Sequence, residues 1–155
     1  MKAINLLDII VFSFVILFIY AATNKLATYD LFVAQLGKSP LIMNYAPSIA
    51  WMIPTLELIL AIALLIRKLL LAALFGCFTL MLTFTLYIGF IINFSPYVPC
   101  SCGGILNSLG WTEHMLFNII FIVLAVLGIG LHAKQAALVA AEKFSIDQQN
   151  ESASI

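Results

Sequence analysis

PSIAWMIPTLELILAIALLI (residues 47–66), RK (67–68) and LLLAALFGCFTLMLTFTLYIGFIINF (69–94) decide the fold. The first run is 20 residues long with a single charged side chain, Glu57, and the second is 26 residues long with no Asp, Glu, Lys, Arg or His. A helix needs about 20 apolar residues to cross roughly 30 Å of hydrocarbon. Each run is therefore a membrane span, and Arg67 and Lys68 mark the tight turn between them. Pro47 stands in the first turn, where a helix tolerates it. The longer run exceeds one crossing, so it must tilt, bend near Gly89 or protrude.

Two further runs complete the pattern, from Leu6 to Ala22 and from Met115 to Leu131. A secretory leader is the competing reading of the first, with Lys2 as its charged start. Its apolar stretch is longer than a leader's core, however, and more spans follow. Trp111 suits the interface before the last span, and Thr112 is a candidate cap. Over all 155 residues, 64% are hydrophobic and 9% charged, against roughly 45–50% and 25% in soluble domains. Seven basic and seven acidic residues cancel, which leaves no charge field for nucleic acid. The expected fold is all-α, a four-helix membrane bundle over residues 1–133, with a tail at 134–155 that is helical to Phe144 and frayed beyond it.

Cytoplasmic segments carry the excess of Lys and Arg. With the N-terminus inside, Lys2, Arg67, Lys68, Lys134 and Lys143 are cytoplasmic, and Lys25 and Lys38 lie outside. Both termini are then cytoplasmic, and the connection from Ser95 to Glu113 faces an oxidising compartment. In the first outer loop Tyr29, Phe32, Val33 and Leu36 recur at helical spacing, and Gly37 precedes Pro40. This predicts a short amphipathic helix on the outer membrane surface.

The outer connection holds Pro99-Cys100-Ser101-Cys102-Gly103-Gly104. A bond between cysteines two apart requires a bent backbone, and strained disulfides are comparatively oxidising. Redox exchange, a static staple and a two-thiolate copper(I) site are all readings of such a pair. Closing so small a ring removes little chain entropy, which weakens the staple reading. His114, twelve positions after Cys102, is a candidate proton acceptor or thiolate stabiliser, or else a surface histidine at a helix start. Cys77, inside the third span, reads as a buried hydrophobe.

Glu57 falls near the middle of its span, and an intramembrane acid is by default a functional candidate facing the bundle interior. Thr79, Thr83 and Tyr87 repeat every four residues, which assigns them to one inward face. Tyr20, Asn24 and Asn118 lie between the level of Glu57 and the cysteines. Together these groups outline a polar seam that is either packing glue or a proton route or quinone headgroup site. Glu57, Thr83, Tyr87 and Asn118 are its candidate cofactor-binding residues, with quinone the candidate and no cofactor certain.

Tyr20-Ala21-Ala22-Thr23-Asn24-Lys25-Leu26, Phe32, Pro54-Thr55-Leu56-Glu57, the Cys100–Cys102 motif and Trp111-Thr112-Glu113-His114 together resemble the DoxX-like membrane proteins, most closely the branch of the methylamine utilisation protein MauE. The resemblance spans residues 1–133. It implies a bundle related to quinone-linked disulfide-forming proteins of the bacterial inner membrane. It also implies a role in maturing exported disulfide-rich protein beside a periplasmic thioredoxin-like partner, with Cys100, Cys102 and Glu57 at the matching positions. The chain has no Cys-x-x-Cys and no second outer pair, so a relay would take its other pair from the partner. Two alternatives are a non-enzymatic assembly subunit of a larger complex and a small proton-coupled transporter using Glu57.

Overall fold

The computed structural model describes residues 5–38, 42–94 and 111–153. The chain forms α1 (Leu6–Ala27), α2 (Tyr29–Leu36), a 3-10 turn (Met43–Tyr45), α3 (Ala46–Leu65), α4 (Leu70–Phe94) and α5 (Trp111–Ala153). No strand occurs among the described residues. Four helices are long and apolar enough to cross a membrane, so the molecule is the multi-pass, all-α protein that its sequence predicts.

The helices pack as two antiparallel pairs, α1 on α3 and α4 on α5, and lesser α3–α4 and α1–α5 contacts close the bundle. Each helix buries residues three or four apart. In α1 these include Leu7, Val11, Phe14, Phe18, Ala22 and Lys25, and in α3 they include Ala50, Pro54, Glu57, Ala61 and Leu64. In α4 the series runs through Leu74, Cys77, Met81 and Ile88. The opposite faces expose Ile16, Ile62, Leu86 and Leu116, which hydrocarbon accepts at no cost. Phe14 stacks edge-on against Phe121, with ring centroids 5.2 Å apart, tying α1 to α5 across the core. Cys77 is fully buried there, as a small hydrophobe would be.

Two boundaries and one packing surface differ from the sequence reading. First, α1 continues past Ala22 to Ala27, so Lys25 belongs to a helix and not to a loop. Second, α2 forms where it is expected, but its apolar face docks on the protein. Phe32 and Leu36 pack with Ala46 and Ala50 at the start of α3, and the Tyr29 ring lies 5.4 Å from that of Trp51. Third, α5 runs unbroken to Ala153 where fraying after Phe144 is expected. No Gly or Pro follows Gly130, and Ala, Glu, Lys and Gln are strong helix formers. At about 1.5 Å per residue its 43 residues measure about 65 Å, and every side chain from Ala133 to Gln149 is exposed.

The α3–α4 turn is closed by backbone bonds from Ile66 N–H to the Ala63 carbonyl (3.1 Å) and from Leu69 N–H to the Ile66 carbonyl (2.9 Å). It fixes the register of the two spans. Gly128 holds α5 close to its neighbours, because a Cβ there would stand 3.2 Å from Leu74 Cδ2 and 3.3 Å from Ile10 Cγ2. Gly130, two residues on, has nothing within 4 Å. Replacing Gly128 by Leu is expected to destabilise the bundle by about 1–3 kcal/mol through overpacking. The same change at Gly130 is expected to leave stability unchanged or slightly raised. Thermal unfolding in detergent measures both.

Candidate functional site

Three of the interior stripes change from apolar to polar at one level. Lys25 closes the stripe of α1, Glu57 interrupts that of α3, and His114 and Asn118 open that of α5. All four side chains are buried, with relative exposures of 7% for Lys25, 1% for Glu57, 8% for His114 and 3% for Asn118. They meet around one small cavity, which Leu17, Phe18, Ala21, Met81, Phe84 and Phe117 complete. Every transmembrane helix thus contributes a wall.

At the centre is an ion pair. Lys25 Nζ donates to Glu57 Oε1 at 2.7 Å and lies 5.8 Å from the centroid of the Phe84 ring, within cation–π range. A lysine at the end of a span ordinarily extends its ammonium toward water. Here it turns inward, because a lone carboxylate in the bundle would be costly and a hydrogen-bonded cation offsets that cost. Its place in the last turn of α1 also sets the cation at the negative helix end. Pro54, one turn before Glu57 and buried, has no N–H to give the Ala50 carbonyl.

The pair leaves polar capacity unused. Glu57 Oε2 and Asn118 Nδ2 are buried and have no partner among the described residues, a condition that costs about 1–3 kcal/mol per group if nothing else fills it. Both residues line the cavity, whose volume is about 40 Å³. The acceptor and donor that face it suit a carbonyl or hydroxyl group. Among the described residues no three His, Cys, Asp or Glu side chains gather to hold a metal.

Of the residues singled out from sequence, Glu57, His114 and Asn118 come together. Thr83 does not join them, and this corrects the expected inward face of α4. Thr79 and Thr83 are exposed on the outer side, because the buried stripe passes through Cys77 and Met81, and a step of two residues is about 200° around a helix. Each threonine can stand there because its hydroxyl donates to a carbonyl one turn back, Thr79 to Phe75 (2.9 Å) and Thr83 to Thr79 (2.8 Å). No polar group is then left unmet in hydrocarbon. Tyr87 is half-buried and does not line the cavity. Asn24 turns to the Tyr20 carbonyl at 3.0 Å. Cys100 and Cys102 lie outside the described residues, in the connection between α4 and α5. Lys25 is the residue that the sequence reading missed. It was legible as the continuation of the stripe 7, 11, 14, 18, 22, and as the cation that a lone intramembrane acid requires.

Residues 3–131 match the family described as Methylamine utilisation protein MauE. Comparison with curated proteins and with solved structures gives no match.

Removing one member of a buried ion pair strands the other. Lys25→Met alone or Glu57→Leu alone is expected to cost about 3–5 kcal/mol, and the double replacement is expected to recover most of that loss. Unfolding of the three variants in detergent forms the cycle that tests the coupling.

Proposed function

This chain belongs to the MauE family of membrane proteins, and from that premise we propose that it is a thiol-disulfide redox protein of the bacterial inner membrane. In this reading both termini are cytoplasmic and the 95–110 connection is periplasmic. Cys100 and Cys102 exchange disulfides with a thioredoxin-like partner or an exported client, and so support disulfide formation or maturation of exported protein. The family's kinship with DoxX-like proteins is part of the same proposal.

One observation carries the reading. The connection that holds the Cys-x-Cys leads directly into the turn of α5 that places His114 in the buried polar cluster. Cys102 stands twelve positions before His114 in the sequence, and His114 belongs to the group of buried polar residues around the cavity. The exchange itself balances without a cofactor. A client thiolate attacks one sulfur of the Cys100–Cys102 bond, that bond breaks and a mixed disulfide forms. The client's second thiol then displaces the mixed bond, so the client leaves oxidised and the pair carries two thiols. His114 is assigned to accept or return a proton at this end of the bundle. The Lys25–Glu57 pair is assigned to hold α1 and α3 in the register that supports it. A quinone acceptor is what the DoxX-like kinship would imply, and the cluster assigns none of its residues to that ring.

A second reading has its own observation in its favour. The exposed arm of α5 carries Leu138, Val139, Phe144 and Ile146 outward, as a non-enzymatic assembly subunit anchoring a larger complex would. The two readings part on the cysteines. In cells, Cys100→Ser or Cys102→Ser is expected to accumulate a reductant-sensitive mixed disulfide with the partner, visible as a shifted band on a non-reducing gel. The double Cys→Ser variant is expected to lose that band together with client oxidation. Client oxidation at the wild-type level in the double variant would remove the redox reading and leave the assembly subunit.

A further inference from the structure

The cavity among Lys25, Glu57, His114 and Asn118 has the properties of a wet site. Cavities that stay dry are lined by apolar groups alone, whereas a buried water needs two to four polar partners and roughly 10–15 Å³ of space. Here the space is about 40 Å³, room for two or three such molecules. The partners are unlike in kind, as a water requires. Among the described residues Glu57 Oε2 is an acceptor, and Asn118 Nδ2 a donor, without a partner. The Lys25 ammonium has three N–H bonds, of which the hydrogen bond to Glu57 uses one, and the His114 ring lines the same space. The remaining wall is Leu17, Phe18, Ala21, Met81, Phe84 and Phe117, which admits no further polar ligand.

We propose that this cavity is a binding site for water inside the membrane bundle, one to three molecules that join Asn118 Nδ2 to Glu57 Oε2. A water bridging the two accepts from the amide and donates to the carboxylate, so both buried groups are met by one ligand. The site's class of ligand is a small protic molecule with a donor and an acceptor on one atom. This inference is independent of the cysteines and stands or falls apart from the thiol-exchange reading.

Radiolytic hydroxyl-radical labelling of the full chain in lipid nanodiscs tests it, because radicals formed from bound water mark the side chains beside that water even where bulk solvent does not reach. Phe18 and Phe14 supply the comparison within one helix. They are 1% and 0% exposed, but only Phe18 lines the cavity. The expected result is labelling of Phe18 above Phe14, unchanged when a short-chain ubiquinone is added. Ala21→Leu, which fills the space, is expected to abolish the excess at Phe18. Equal labelling of the two phenylalanines in the unaltered protein would show a dry cavity and overturn the proposal. Loss of the Phe18 signal on adding the quinone would overturn it in favour of a ring-binding site.

Discussion

A carboxylate in the middle of a membrane span is the constraint around which the bundle is arranged. Glu57 is 1% exposed, and neither hydrocarbon nor a leucine-lined interior solvates it. The response is Lys25, 2.7 Å away, drawn in from the end of α1. That contact sets the axial register of α1 against α3, one of the two closely packed pairs of the bundle. It also requires α1 to continue as helix to Ala27, since otherwise the ammonium would have no fixed approach. Apolar packing such as Phe14 on Phe121 tolerates sliding by small steps. A buried ion pair does not, because misregister strands two charges at once.

The polar residues of the site occupy positions that an apolar core residue would otherwise fill. His114, Asn118, Ala125 and Gly128 form one buried line on α5, and Lys25 and Glu57 terminate or interrupt the equivalent lines on α1 and α3. Stability and function are therefore not separable here by location. The groups that fix the helices are the same ones that leave a carboxylate oxygen and an amide nitrogen facing a small cavity. The connection between α4 and α5, which carries Cys100 and Cys102 in its sequence, joins the two helices at that end of the bundle.

Much of this is legible in the sequence, and the parts that are not have distinct physical causes. Four spans follow from length and hydropathy, and α2 follows from the spacing of Tyr29, Phe32, Val33 and Leu36. Glu57 and Asn118 stand out because polar residues are rare in such surroundings. The inward face of α4 was not legible, since a span is apolar on all sides and hydrophobic patterning no longer separates core from surroundings. A four-residue repeat of Thr79, Thr83 and Tyr87 marks a face without saying which way it points. Lys25 was hidden for the opposite reason, as a basic residue after an apolar run reads as the end of a helix. The tail reads as frayed from its polarity, but its alanines and the absence of Gly and Pro sustain α5 to Ala153.

The proposed function requires that Cys100 and Cys102 cycle between disulfide and thiols. Alkylation of intact cells with a mass-tagged reagent, sampled through a brief dithiothreitol pulse and its washout, reads this most directly. A cycling pair carries two tags in samples alkylated during the pulse and none in samples alkylated minutes after washout. A pair that remains untagged throughout is a static staple, and a pair that is tagged before the pulse and stays so is two unpaired thiols. Either of those results would contradict the exchange mechanism.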